Sequence, residues 1–262
     1  MDIKNNPKIL VAAPTFDGMR YCHKQFIDRI KSLSYGDYDI LLADNSENNS
    51  FFKELKKDPH VASLRMDLPG ISNLKKIIRS RNKLLTHATL NSYDYVLMMD
   101  VDVIPPFDII ERLLAHGKDI VSGLYYNIFR VDRQQRLLPV AWKSFTPEEF
   151  EKIKDRVFSS HVASHESLRR NLTDEEIKSG ELQEVIIPSA GCVLLSEKVF
   201  KKIKYGLLDV PGGFVTSDDI YFFRKAREAG FKLYCDPAII CDHLIRGKFE
   251  RSGNELSHPT YS

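Results

Sequence analysis

The sequence has 262 residues, 43% hydrophobic and 28% charged, with a formal net charge of +2. That is ordinary globular composition, long enough for one large domain or two small ones, and the near-neutral balance leaves no demand for nucleic acid as a partner. No apolar run approaches the ~20 residues of a membrane span, and the opening "MDIKNNPKIL" lacks the basic-then-apolar pattern of a signal peptide, so the expectation is a soluble, cytoplasmic protein. Cys22, Cys192, Cys235 and Cys241 form no CxxC pair and read as free thiols of a reducing compartment. The sequons at Asn48 and Asn171 then carry no meaning.

In chain order, "KILVAAP" (Lys8–Pro14) reads as a short buried strand, and "YCHKQFIDRIKSL" (Tyr21–Leu33) puts Phe26, Ile27 and Ile30 at helical spacing. "YDILLAD" (Tyr38–Asp44) is a second strand, "NSFFKELKK" (Asn49–Lys57) a short helix, and "HVASLRM" (His60–Met66) a weaker strand. "SNLKKIIRSRNKLLTHA" (Ser72–Ala88) is a helix with a basic face. Tyr95–Met99 is a buried strand, Pro106–Gly117 a helix opened by proline and stopped by glycine, and Asp119–Tyr126 another strand. Strands alternating with helices predict βαβ units and a mainly parallel sheet, and their continuous apolarity predicts cover on both faces.

After Tyr126 the texture turns polar. Thr146 with Glu149, and Thr173 with Glu176, each stand in the relation of a capping box. Residues 127–182 read as an insertion, an acceptor-side lobe between a first half (1–126) and a second (183–246), with 247–262 a flexible tail. In the second half, "QEVIIPSAGCVLLSEKVFKKI" (Gln183–Ile203) predicts two strands separated by a bend and then a helix, and "SDDIYFFRKAREAG" (Ser217–Gly230) a helix capped by Ser217. "FKLYCDPAIICDH" closes the ordered part.

The informative stretch is "YVLMMDVDVIPP", an apolar strand that ends in Asp100 and Asp102. Residues i and i+2 of a strand point to one side, and open parallel sheets bind ligands at their carboxyl ends. Two like charges so placed repel unless a cation neutralises them, and oxygen ligation suits Mg²⁺ or Mn²⁺. A helix cap and a turn residue would look the same in so short a motif. Asp44 and Thr15 also end strands. Asp218 and Asp219 open a helix, where acids favour the dipole and where one of them can also serve as a base. Asp242 and His243 end the last strand, and a neutral imidazole there would complete the coordination of a carboxylate-held ion.

Taken together these segments resemble nucleotide-sugar-dependent glycosyltransferases of the GT-A fold, family 2-like. "ILVAAPTFDG" is similar to the first nucleotide-binding strand and loop, with Pro14 and Thr15. "YDILLADNSENNS" is similar to the strand ending in the base-contacting acid, Asp44, and "RSRNKLLTHA" to the helix over the donor, with Arg79, Arg81 and Asn82. "YVLMMDVDVIPP" is the Asp-x-Asp motif, "IPSAGCVLLSEKVF" the acceptor-side pair, and "SDDIYFFRKAREAGFKLYCDPAIICDH" the segment of the acid pair and late histidine.

The resemblance implies a GT-A (Rossmann-like) α/β fold with a smaller acceptor-side sheet. It implies Asp102, Asp100 and His243 around Mn²⁺ or Mg²⁺, with Asp100 also reaching the ribose, and Asp219 as general base. Asp218 stands where the family has glutamate, which leaves open which of the two acids reaches the acceptor. The reaction implied is inverting transfer from a UDP- or GDP-sugar to a saccharide, lipid-linked or protein acceptor, with Leu207–Val215 as a lid. Lys198, Lys201, Lys202 and Lys204 are compatible with peripheral membrane contact. The alternatives are a metal-dependent sugar nucleotidyltransferase, disfavoured by the single glycine and arginine of "APTFDGMR", and a non-catalytic nucleotide-sugar-binding module.

Overall fold

A computed structural model of the chain describes residues 6–131, 133–154, 168–208 and 217–245. The elements are β1 (Ile9–Thr15), α1 (Arg20–Lys31), β2 (Tyr38–Asp44), α2 (Ser50–Leu55), β3 (Ala62–Arg65), α3 (Asn73–Leu90), β4 (Tyr95–Met99), β5 (Val103–Ile104), α4 (Ile109–Ala115), β6 (Ile120–Leu124), β7 (Tyr126–Val131), β8 (Gln134–Pro139), β9 (Trp142–Ser144), α5 (Pro147–Ile153), β10 (Arg169–Asn171), α6 (Asp174–Lys178), β11 (Gln183–Val185), β12 (Cys192–Ser196), α7 (Glu197–Lys202), α8 (Asp218–Glu228), β13 (Leu233–Ile240) and β14 (Asp242–His243).

Eight strands form one sheet in the order β11-β13-β6-β12-β4-β1-β2-β3. β1, β2, β3 and β4 are mutually parallel, as are β6 and β13. β12 runs antiparallel to both β4 and β6, and β11 antiparallel to β13. The sheet is the mainly parallel, helix-flanked kind that the alternating pattern predicts, with three two-stranded sheets beside it: β7–β8, β9–β10 and β5–β14.

Each face of the sheet carries its own core. Val11, Leu42, Leu97 and Leu194 face Phe26 and Ile30 of α1, Phe51 of α2 and Ile110 of α4. The alternate residues Leu10, Leu41, Met98 and Val193 face Leu84 and Leu85 of α3, Phe200 of α7 and Phe222 and Phe223 of α8. This is the period-2 consequence of strands buried on both sides. Full burial of a phenylalanine stabilises by roughly 1.5–3 kcal/mol, so Phe222 and Phe223, both 0% exposed, fix α8 and with it the acid pair at its start.

Both predicted capping boxes form, Thr146 with Glu149 and Thr173 with Glu176. Ser217 holds the cap position of α8 with extended backbone, but its side chain makes no capping bond. Pro106 does not open α4: its carbonyl accepts the Ile109 N–H at 3.3 Å in a preceding turn, and the helix begins at Ile109. The expected tail 247–262 lies outside the described residues, as do residues 209–215 of the expected lid.

Candidate active site

Because β1, β2, β4, β6 and β13 run in one direction, their carboxyl ends deliver Thr15, Asp44, Asp100, Tyr125 and the Cys241–His243 segment to one edge of the sheet. β12 runs the other way, so its amino end brings Gly191 to the same edge. The Asp100 N–H donates to the Gly191 carbonyl at 3.0 Å and the Gly191 N–H to the Tyr125 hydroxyl at 3.4 Å. Gly191 and Tyr125 were not among the residues the sequence singled out. The signal was the glycine of "PSAGC", which reads only as a bend.

Asp102 and His243 converge. β14 pairs with β5 so that His243 is opposite Val103, and the His243 Nε2 lies 3.6 Å from Asp102 Oδ2. The other ring nitrogen, Nδ1, is 2.9 Å from the Tyr126 carbonyl. A carbonyl only accepts, so Nδ1 carries a hydrogen, and Nε2 is the ring nitrogen that faces Asp102. Burial disfavours the charged imidazole, but the Asp102 carboxylate and the Tyr126 carbonyl outweigh it and raise the His243 pKa. The Tyr21 hydroxyl reaches the Leu244 carbonyl at 3.1 Å and stands 3.5 Å from Asp102 Oδ2. Among the described residues no group of three or more His, Cys, Asp or Glu is placed to hold a metal by itself.

Asp100 is not turned toward that pair alone. Its Oδ1 accepts from Arg81 at 2.6 Å, and the second guanidinium nitrogen of Arg81 donates to Asp218 Oδ2 at 2.7 Å. The Arg81 side chain is 6% exposed, Asp218 9% and Asp100 32%. Burial disfavours charge on Arg81, yet Asp100 and Asp218 hold it firmly protonated. Burial, with Asp102 and Asp218, pushes the Asp100 pKa upward against the pull of Arg81. Asp219, the next residue, is half-buried. Among the described residues its hydrogen bond is from the Ile220 N–H to Oδ1, at 2.8 Å. The adjacent acids thus differ in their partners: Asp218 pairs with Arg81, and Asp219 accepts from the Ile220 N–H.

The other expected donor contacts are distributed differently. Arg79 is exposed on α3 and does not join Arg81, because two residues turn a helix by about 200°. Asn82 spends both ends of its amide on the backbone of Tyr205, donating to its carbonyl at 2.9 Å and accepting its N–H at 2.8 Å. Asp44 is fully buried. It accepts from the Ser46 N–H at 3.1 Å and from the Ser46 hydroxyl, and pairs with Arg65 at 3.3 Å. Pro14 is buried within β1, and the Thr15 hydroxyl beside it has no partner among the described residues. On α7, Lys201 pairs with Glu197, Lys198 lies 3.8 Å from Asp119 and Lys202 lies over Phe231, and just past the helix Lys204 donates to the Phe200 carbonyl. No helix among the described residues is long and apolar enough to cross a membrane.

No family model matches the sequence, and no curated protein matches it. The chain is similar to the mannosyltransferase PcManGT from Pyrobaculum calidifontis, solved in complex with GDP-Man and Mn²⁺, at 15% identity and a TM-score of 0.49. The match covers 90% of this chain and 56% of that one, so this chain spans little more than half of that protein's length.

Proposed function

We propose that this chain is a glycosyltransferase that moves a sugar from a nucleoside-diphosphate donor to an acceptor hydroxyl with inversion, and that Asp219 is its general base. The observation that carries the reading is the convergence of Asp102 and His243, 3.6 Å apart, at the sheet edge where α/β folds bind ligands. One carboxylate and one imidazole nitrogen facing each other suit a divalent transition ion such as Mn²⁺, which would displace any proton from Nε2, better than Mg²⁺, which favours oxygen alone. Asp102 and His243 would hold that ion, with substrate oxygens as the remaining ligands. When bound, it supplies charge neutralisation for the departing diphosphate.

The chain's own residues do the rest. The free oxygen of Asp219 takes the proton of the acceptor hydroxyl. The hydroxyl oxygen attacks the anomeric carbon as its bond to the diphosphate breaks, so one displacement inverts the centre. The orphaned Thr15 hydroxyl and Pro14 line the donor side. Asp44 shapes the neighbouring turn through Ser46 and Arg65. The 127–182 lobe, whose hairpin springs directly from Tyr125 and Tyr126, faces the acceptor.

A panel of UDP- and GDP-sugars with Mn²⁺ or Mg²⁺ tests this by thermal shift and by transfer assay. Stabilisation that needs both the ion and the diphosphate is expected. Asp219→Asn should keep that stabilisation and lose transfer by roughly 10²–10⁴-fold. Transfer at the native rate by Asp219→Asn would remove the base from the account, and stabilisation by nucleoside triphosphates alone would point to nucleotidyl transfer.

A further inference from the structure

Among the described residues, Arg81 is the one guanidinium that touches both carboxylate motifs. Its two terminal nitrogens are taken by Asp100 and Asp218, at 2.6 and 2.7 Å, and its Nε is buried without a partner among the described residues. Its Cζ lies 5.2 Å from the centre of the Tyr205 ring. That ring stacks on Phe222 at 4.2 Å and 20°, and the Tyr205 backbone is clamped at both ends by Asn82, the residue after Arg81. The cation is therefore held by α3, by the segment after α7 and by α8 at once. Both terminal nitrogens are engaged by the protein's own carboxylates and the side chain is 6% exposed, so little of the guanidinium is open to a donor phosphate.

We propose that Arg81 is a positioning residue that joins the Asp-x-Asp strand to the start of α8, locking Asp218 as a structural counter-charge and so leaving Asp219 as the acid that faces the acceptor. The proposal rests on the transferase reading for its kinetic consequence, but the clamp itself is independent of it. It also accounts for aspartate at position 218. The Asp218 carboxylate already meets the guanidinium at 2.7 Å, and one more methylene would have to be folded into a buried site. Four carboxylates, Asp100, Asp102, Asp218 and Asp219, crowd this edge. Fixing one arginine between the donor-side and acceptor-side acids sets their spacing without a ligand.

The test is a double-mutant cycle on the purified chain with Arg81→Met and Asp218→Asn, read both by thermal unfolding without nucleotide and by steady-state transfer. Arg81→Met should lower kcat by roughly 10²-fold or more while changing the donor KM by less than about threefold. Adding Asp218→Asn should lower kcat little further, and should restore part of the lost unfolding temperature by removing an unpaired buried carboxylate. Arg81→Lys guards against simple unfolding: it keeps the charge and the fold, but one ammonium cannot serve two carboxylates in the fork geometry, so kcat should stay depressed at least tenfold.

A raised donor KM with native kcat in Arg81→Met would make Arg81 a donor contact and overturn the proposal. Native kcat in Arg81→Lys, or fully additive effects of the two substitutions, would do the same. If the native chain transfers no sugar at all, the transferase reading fails, and non-additivity in the thermal cycle still decides the clamp.

Discussion

Gly191 and Asp100 approach so closely that a Cβ at position 191 would lie 2.9 Å from Asp100 Oδ2. The same Cβ would stand 3.1 Å from the Tyr125 hydroxyl and 3.1 Å from Val103 Cγ2. Three elements meet there, and none can retreat without moving a functional neighbour. Asp100 is tied to Arg81, and Tyr125 packs edge-on against His243 at 5.1 Å. Gly191→Ala should therefore cost about 1–3 kcal/mol of stability, the range of an overpacked core, and should disturb Asp100 and His243 together. Denaturant unfolding measures the first effect. Loss of metal-dependent nucleotide binding measures the second. A native unfolding midpoint with native binding would show that the cradle has room.

Most of the fold is legible because periodicity reports burial. β1, β2 and β4 carry unbroken buried apolar runs, over residues 9–14, 40–43 and 96–99, and announce a sheet covered on both faces. Direction is not encoded in that way. β12 has the same unbroken apolar run, CVLLS, yet lies antiparallel between β4 and β6. A strand buried on both faces looks alike in either sense. The two-residue pairing of β5 with β14 is too short to carry a pattern, although it is what brings His243 to Asp102.

At the site, residue type and position were readable and partners were not. Asp102 and His243 meet as the motif order implies. Arg79 and Arg81 are indistinguishable as cations in the sequence, and only the helix phase sends one to solvent and the other to two acids. The Asp218–Asp219 pair is likewise ambiguous until Arg81 takes one of them. Asn82 and Asp44 read as donor contacts through the family resemblance, with a turn role the alternative for Asp44. Here their hydrogen bonds go to Tyr205 and to Ser46 and Arg65.

Glu176 makes a pH prediction with a definite sign. Burial would raise its pKa, but hydrogen bonds from Arg170 and Lys143 and from the Thr173 N–H lower it to about 2. A depressed carboxylate contributes stability that is complete above its unfolded pKa, ordinarily about 4.3, and that is lost as pH falls through the folded value. The contribution is on the order of 2–3 kcal/mol at neutral pH. Glu176→Gln keeps the capping geometry and removes the charge. Urea unfolding at several pH values should show the variant less stable at pH 7 and the gap closing as the pH approaches about 2. A gap that stays constant across that range would count against the ion pair as its cause.

The four thiols offer a test of the core. Cys22, Cys192, Cys235 and Cys241 are all free and buried, and Cys192 and Cys241 stand 3.2 Å apart sulfur to sulfur. Burial pushes the Cys235 thiol up to about 12 and the Cys22 thiol up to about 11, so little reactive thiolate forms at neutral pH. Reaction with a disulfide reagent should be slow in the native protein, with a rate that follows unfolding, and complete at once in denaturant. Fast labelling of any of the four under native conditions would place that cysteine at the surface.

The proposed function assigns the metal to Asp102 and His243, 3.6 Å apart. If they share one ion with the donor diphosphate, the native chain should be stabilised far more by nucleoside diphosphate with Mn²⁺ than by either alone. Ligand at ~100 times its Kd contributes about 2.7 kcal/mol, which in a chain of this size raises Tm by roughly 5–10 °C. Asp102→Ala and His243→Ala should each abolish the Mn²⁺-dependent part of that rise. Both side chains are mostly buried, at 19% and 12% exposed, so native far-UV circular dichroism in each variant is the control that separates lost metal binding from lost fold. A full Mn²⁺-dependent shift in both variants would move the ion elsewhere, and normal transfer by Asp102→Ala would remove it from the reaction.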